Sequence, residues 1–183
     1  KLSNLPLLYH PGERWVYSVG TDVCGRLVEL ASGQPLDEYF QEKILSPLDM
    51  RDTAFHVPSD KVERFANTYR TTDESGLTVM DDAAKSRYLQ QPKLLSGGGG
   101  LVSTARDYTR FCQMLLNEGE LFGERLLQPE TVKMMRSNQL VGTSYPVTQP
   151  TPRPGIGFGL GFQVVVEKNG DEPFRPIGEY GWG

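Results

Sequence analysis

The chain has 183 residues, of which 38% are hydrophobic, enough to bury a core and typical of one globular domain. Its formal net charge is -4 and its basic residues are scattered, so we expect no nucleic-acid partner, which would require a basic face. No apolar run approaches the ~20 residues that span a bilayer, so we expect no membrane partner. The compartment is left open, with the cytoplasm favoured.

The first informative stretch is PGERWVYSV, residues 11–19, which precedes an amphipathic segment. Pro11-Gly12 is a turn signal, and the strip that follows predicts Tyr17 at a loop-to-helix junction, where a side chain can face a cleft. A free phenol titrates near pH ~10 and acts as a base at neutral pH only beside a cation. We therefore expect Tyr17 to need a lysine partner.

Helical signals follow this strip. Apolar residues at helical spacing predict a first helix that ends at Ser32-Gly33: Val19, Val23, Leu27, Leu30 and Ala31. Pro35 is predicted at the first position of a second helix, with Asp37 and Glu38 in its first turn, and Pro47 stops it.

The middle of the chain has weaker signals. Short extended pieces are predicted over 50–56 and 66–70, with a turn over 71–76. The glycines of 97–100 predict close backbone packing near a cleft, and no Gly-Lys-Ser/Thr follows to support a phosphate loop. Thr104 to Asp107 resembles a capping box that opens a helix with a buried stripe of Tyr108, Phe111, Cys112 and Leu115.

The last third changes character. We predict a short turn or hairpin over 119–123, a helix over 129–135 with Pro129 in its first turn, and a surface loop over 140–154. From Gly155 bulky residues alternate with glycines, which predicts one strand through Val166, a turn over 169–172 and a second strand over 178–183. Helices followed by antiparallel strands predict an α+β fold with the helices on one side.

Three segments together resemble a known family: PGERWVYSVGTDVCGRLVELASGQPLDEY at 11–39, LSGGGGLVSTARDYTRFCQMLLN at 95–117 and GEYGWG at 178–183. They are similar to the serine β-lactamase and penicillin-binding-protein superfamily, most of all to its family VIII carboxylesterases, which are related to class C β-lactamases. The resemblance implies one incomplete domain over 1–183, with a mainly helical lobe at 1–154 and part of an antiparallel sheet at 155–183.

The resemblance also implies a site. The family uses a serine in S-x-x-K, a tyrosine in Y-x-N and a strand motif that is often W-G-G in the esterases. Tyr17 matches the tyrosine, and Trp182-Gly183 match the start of the strand motif. Tyr17 would be the general base that takes the proton of the serine and then protonates the leaving group. Backbone groups near Trp182 and Gly183 would donate to the oxyanion.

No serine of this chain is followed by a lysine three residues later. We therefore expect the nucleophile and its lysine on polypeptide N-terminal to residue 1, and no turnover by residues 1–183 alone. The expected partners are a small-molecule ester and the remainder of the same domain.

Val19 stands where the lactamase-like motif has Asn, and Trp182 stands where the lactamases place a cation, so we favour a serine carboxylesterase. The alternatives are a β-lactamase or D-Ala-D-Ala peptidase, and a non-catalytic binding module of the same fold. Each of the two site residues also has a purely structural interpretation. Tyr17 would be an aromatic side chain packed at the start of a helix, and Trp182 would be an aromatic side chain on an edge strand. At most one further aromatic is expected in an acyl pocket, from Trp15, Phe158 and Tyr180.

We expect no cofactor and no metal. His10 and His56 lie at no ligand spacing from a cysteine, and without a G-x-S-x-G motif His10 and Asp22 do not suggest a Ser-His-Asp triad. Cys24 and Cys112 lie in apolar helical patterns, which predicts two buried free thiols.

Overall fold

The structure, a computed structural model, describes residues 4–72, 76–142, 145, 147, 153–168 and 175–182. The chain forms two compact units. The sheet unit comprises Lys1–Gly20, Asn117–Glu120 and Leu127–Gly183, and the helical unit comprises Thr21–Leu116 and Leu121–Leu126. Helices combined with small antiparallel sheets make this an α+β fold, as the sequence predicts.

The first two predicted helices are present. α1 spans Gly20–Ser32, and α2 spans Leu36–Phe40 and continues as a π-helical turn over Gln41–Leu45. Pro35 lies just before α2 in extended conformation, one position earlier than predicted. The buried apolar residues of the helical unit include Leu36, Leu45, Leu48, Met50, Phe55 and Val57.

Glycines set the buried side of α1. Gly25 is the buried residue of this helix, and a Cβ on Gly97 would lie 3.2 Å from the Gly25 Cα and 2.3 Å from the carbonyl oxygen of Thr21. The close backbone packing predicted for the glycine run is therefore confirmed. The same contact explains why the burial predicted for Cys24 is wrong: the helix turns its glycine side inward, and Cys24 is a free but exposed thiol.

α3 (Ala105–Leu116) begins at the predicted cap, where Thr104 Oγ1 accepts a hydrogen bond from the Asp107 N–H at 3.2 Å. The predicted stripe is partly wrong. Leu115 is buried, but Tyr108 and the free thiol of Cys112 are exposed. The buried face is rotated because Asp107 itself points inward, together with Met114 and Leu115.

Two hairpins belong to the middle of the chain. β1 (Thr68–Thr72) pairs antiparallel with β2 (Gly76–Asp81), with Tyr69 opposite Val79, and residues 73–75 of the predicted turn lie outside the described part. In the predicted extended piece 50–56, Ala54 makes a single bridge to Val102 and the rest is turns and bends. β3 (Glu120–Leu121) and β4 (Glu124–Arg125) form the short hairpin predicted around residue 121.

The sheet unit contains α4 (Pro129–Met135), with proline at its start as predicted, and a three-stranded antiparallel sheet in the order β5-β6-β7. The strands are β5 (Ile156–Phe158), β6 (Gln163–Val165) and β7 (Tyr180–Gly181). The single strand predicted from Gly155 to Val166 is wrong, because residues 159–162 form a turn in which the Gly159 N–H donates to the Phe162 carbonyl at 2.7 Å.

The surface loop predicted over 140–154 is wrong at Val147, which is buried. Its side chain is buried in an apolar cluster with Ile156 and Val165. The turn predicted over 169–172 and residue 183 of the last strand lie outside the described residues. Every described helix is too short or too polar to cross a lipid bilayer.

Candidate functional site

Tyr17 is presented by a loop that a tight turn precedes. The Glu13 N–H donates to the His10 carbonyl at 3.1 Å, and the Glu13 carboxylate accepts from the His10 N–H at 3.0 Å. Gly12 has φ +86° inside this turn, a conformation that favours glycine. The chain then runs to Tyr17, which is 58% exposed, and α1 begins three residues later. The predicted loop-to-helix position of Tyr17 is confirmed.

Four aromatic rings, which we call the ring cluster, surround this position: Trp15, Tyr17, Phe158 and Trp182. The Tyr17 ring lies 5.4 Å from the Trp182 ring and 6.3 Å from the Trp15 ring, measured between centroids. Phe158 lies 5.1 Å from each of the two indoles, and the indoles lie 6.0 Å apart. The two residues that match family motifs at opposite ends of the chain are therefore in contact.

Trp182 directly follows β7 and is 39% exposed. β7 pairs with β6 through Val164 opposite Tyr180, and β6 pairs with the strand that carries Phe158. The indole is thus placed by the sheet, while the phenol is placed by the loop. Gly183 lies outside the described residues, so its predicted part in an oxyanion site stays a prediction.

The strip before α1 has two different sides. Arg14, Val16 and Ser18 line a cavity of ≈ 520 Å³ together with residues of the 5–12 segment. Trp15 and Tyr17, the residues between them, join the ring cluster instead. Alternate residues of the strip therefore serve different surroundings, and the phenol does not line this cavity.

The other residues considered from the sequence have separate surroundings. Val19 is 46% exposed, so the third position of the tyrosine motif presents a methyl surface to solvent. Tyr180 packs edge-on against Phe162 at 5.3 Å and takes no part in the ring cluster. Asp22 accepts a hydrogen bond from the Ser96 hydroxyl at 2.5 Å, which gives this carboxylate a structural partner within the helical unit.

Sequence reasoning missed Asn138, which fixes the strand beneath the ring cluster. Its side-chain oxygen accepts from the Phe158 N–H and from the Leu140 N–H, each at 3.1 Å. Gly157 permits this approach, because a Cβ there would lie 2.3 Å from the same oxygen. The available signal was an amide residue just beyond the end of α4, a position where such side chains often bond to nearby backbone.

The chemistry offered by the ring cluster is that of one accessible phenol against apolar ring faces. Within the described residues, nothing hydrogen-bonds to the Tyr17 hydroxyl, and no group of three or more His, Cys, Asp or Glu is arranged to hold a metal ion. An exposed phenol without a hydrogen-bond partner is free to form a hydrogen bond with a substrate or with another catalytic group.

Comparison with known proteins identifies the family to which this chain belongs. The family model described as Beta-lactamase matches residues 1–183. The chain belongs to the Beta-lactamase family.

The relatives include Protein Rv1367c of Mycobacterium tuberculosis (strain ATCC 25618 / H37Rv), to which the chain is 36% identical over 99% of its own length and 46% of that protein. Esterase EstB of Burkholderia gladioli is 30% identical over 100% of the chain and 47% of that protein. Among solved structures, "EstCE1, a hydrolase with promiscuous acyltransferase activity" superposes with a TM-score of 0.79 at 29% identity, over 97% of this chain and 47% of that one. The chain thus spans about half the length of the relatives it matches.

Proposed function

We propose that the protein hydrolyses carboxylic esters through an acyl-enzyme intermediate, with Tyr17 as its general base. The observation that carries this proposal is the contact between Tyr17 and Trp182, rings 5.4 Å apart and both open to solvent. A phenol buried in the core or distant from the Trp-Gly segment would have no access to a substrate held there. Membership of the Beta-lactamase family and the likeness to an esterase support the reaction class.

The proposed reaction has two stages. A serine hydroxyl transfers its proton to the Tyr17 phenolate while its oxygen attacks the acyl carbon, and collapse of the tetrahedral intermediate expels the alcohol, which takes that proton back from Tyr17. Water then attacks the acyl-serine by the same proton route and releases the acid. Since no serine in this chain has a lysine three residues on, the nucleophile and the cation that sustains the phenolate are assigned to polypeptide outside residues 1–183. Residues 1–183 alone are accordingly proposed to be inactive.

Esters are favoured over β-lactams by two side chains. Val19 offers no amide to hold a substrate carbonyl or to orient a lysine, and it is exposed beside the phenol's loop. Trp182 presents an indole where a lactamase would present a cation to a carboxylate. Both features suit an uncharged, apolar ester better than an anionic lactam.

The test is the Tyr17→Phe variant of the full-length protein, assayed with a short-chain nitrophenyl ester. Loss of the proton acceptor should lower kcat by about 10²- to 10⁴-fold. The matched control is Tyr9→Phe, which removes one hydroxyl from the same loop and keeps the ring that Arg14 covers at 4.7 Å. If Tyr17→Phe keeps kcat within threefold of the unsubstituted protein, the assignment of the base is wrong.

Acyl transfer to an alcohol is a second candidate, because the solved structure with the TM-score of 0.79 is described as a hydrolase with promiscuous acyltransferase activity. The acyl-enzyme is common to both reactions, and only the acceptor differs. Adding a primary alcohol to the ester assay separates them: a transferase forms the new ester at the expense of free acid, whereas a strict hydrolase yields acid only. A folded full-length protein with neither activity would favour a non-catalytic binding module.

A further inference from the structure

Within the described residues, the ring cluster contacts the core of the sheet unit through two of its four rings. Trp15 and Phe158 are half-buried and pack against the buried cluster of Val147, Ile156 and Val165. Tyr17 and Trp182 are the exposed members. The cluster therefore has an inner pair of rings that contacts the core and an outer pair that contacts solvent.

Tyr17 depends on ring contacts for its position. Its ring stacks on Trp15 with an interplanar angle of 20° and meets Trp182 at 54°. Among the described residues, no hydrogen bond restrains its hydroxyl. A side chain with a free polar end and half of its surface in water keeps one orientation only if its ring face is held.

Trp15 is suited to hold that face. It lies two residues before Tyr17 on the same strip, it touches all three other rings of the cluster, and it also contacts the buried core. Trp182 contacts the phenol as well, but it is itself exposed and follows a two-residue strand. The rigid reference for the phenol is therefore the indole of Trp15.

We propose that Trp15 is a positioning residue for the Tyr17 base, which it locks to the sheet-unit core by stacking; the inference rests on the proposed function of Tyr17. Trp15 acts through the phenol and does not touch the substrate. Its loss lowers kcat and leaves KM nearly unchanged, because a proton acceptor displaced by about 1 Å costs on the order of 10²-fold in rate.

The experiment measures kcat and KM for ester cleavage by the full-length protein with Trp15→Ala, Trp15→Leu and Trp15→Phe. We expect kcat to fall about 10²-fold in Trp15→Ala and at least tenfold in Trp15→Leu, which keeps apolar volume but has no ring to stack. Trp15→Phe restores a stacking face and should return kcat to within about threefold. KM should change by less than threefold in all variants.

Phe162→Ala is the matched control, since Phe162 is a half-buried ring of the same unit that packs against Tyr180, outside the ring cluster. Its kcat should stay within threefold of the unsubstituted protein. If Trp15→Leu keeps full kcat, or if Trp15→Phe is as slow as Trp15→Leu, the positioning role is wrong. A rise in KM that equals the loss in kcat/KM would also overturn it, because Trp15 would then be binding substrate.

The Tyr17→Phe variant separates this inference from the proposed function. A slow Tyr17→Phe with a fully active Trp15→Leu removes only the role of Trp15. A fully active Tyr17→Phe removes the base assignment, and the role of Trp15 with it.

Discussion

The carboxylate of Asp107 accepts a hydrogen bond from the backbone N–H of Asp52 at 2.7 Å, across more than fifty residues of sequence. The same oxygen accepts from the Thr53 hydroxyl at 3.0 Å, and Asp107 is only 2% exposed. A capping motif of α3 therefore also fixes the loop that follows α2. The sequence assigns the Asp107 side chain to the capping of α3, but its carboxylate accepts hydrogen bonds from residues 52 and 53 of the helical unit.

Removing this carboxylate should destabilise the protein. Asp107→Ala leaves the half-buried Asp52 N–H without its acceptor and the buried Thr53 hydroxyl with the Ser103 hydroxyl, at 2.8 Å, as its partner, and we expect a loss of about 2 kcal/mol in the free energy of unfolding. Asp107→Asn keeps one acceptor oxygen and should lose less. Urea denaturation of the full-length protein measures both, with Asp60→Ala at an exposed site as the control, expected within about 0.5 kcal/mol. An Asp107→Ala protein as stable as the control would contradict the assigned role.

The acid dependence of stability should include a contribution from Asp52. Hydrogen bonds from Arg64, at 2.8 and 3.0 Å, and from Lys61 hold the pKa of this carboxyl well below its ordinary value of 3.8. A lowered pKa in the folded state means that the stabilisation is fully present above pH ~4 and is lost as the pH falls further. The Arg64→Gln variant should therefore be less stable than the unsubstituted protein by a constant amount near neutral pH. This difference in stability should shrink below pH ~4.

Thermal unfolding midpoints between pH 2.5 and 7 provide the measurement. Arg106→Gln, at an exposed position of α3, is the control for the loss of one positive charge. If the difference in unfolding midpoint between Arg64→Gln and the unsubstituted protein widens in acid, the predicted direction of the pH dependence is wrong.

Gly97 should tolerate no side chain. The Cβ of Gly97→Ala would lie 2.3 Å from the Thr21 carbonyl oxygen and 3.2 Å from the Gly25 Cα. Both atoms belong to the backbone of α1, which cannot rotate away as a side chain can. We expect Gly97→Ala to lower the free energy of unfolding by about 3 kcal/mol, at the upper end of the cost of overpacking. Gly20→Ala is the matched control, because nothing lies within 4 Å of a Cβ at that position. Equal denaturation midpoints for the two variants would rule out the close approach.

The third position of the tyrosine motif should bear on substrate preference. With Val19 in place, we expect the full-length protein to cleave a short-chain nitrophenyl ester much faster than a chromogenic cephalosporin. Val19→Asn restores the amide of the lactamase-like motif and should raise cephalosporin turnover by tenfold or more. Val23→Asn places the same amide on α1 at a similar exposure, 44% against 46%, and should have no such effect. Fast cephalosporin turnover with negligible ester cleavage in the unsubstituted protein would defeat the ester assignment.

Local signals predicted α1, α4 and the small hairpin around Phe122. Apolar spacing marked α1, Pro129 marked the start of α4, and the Phe122-Gly123 pair adopts the positive φ angles of 55° and 82° that a tight hairpin turn needs. Each of these signals acts over a few residues, so each can be found without the rest of the chain.

The errors have tertiary causes. The glycine-alternating stretch has the period of one strand, but Gly161 takes φ +90° and Gly159 packs on the carbonyl of Met135, so the strand folds back on itself. Likewise, the burial of Asp107 depends on a loop far away in sequence. Only the family resemblance assigned Tyr17 and Trp182 to one site, because neither periodicity nor composition relates two ends of a chain.

Trp15 and Trp182 are the two tryptophans of these 183 residues, and both belong to the ring cluster. Indole emission excited at 295 nm from this chain consequently reports on the sheet unit alone, while the helical unit contributes none. Fluorescence quenching and far-ultraviolet circular dichroism, followed side by side during denaturation, would thus record whether the two units melt as one.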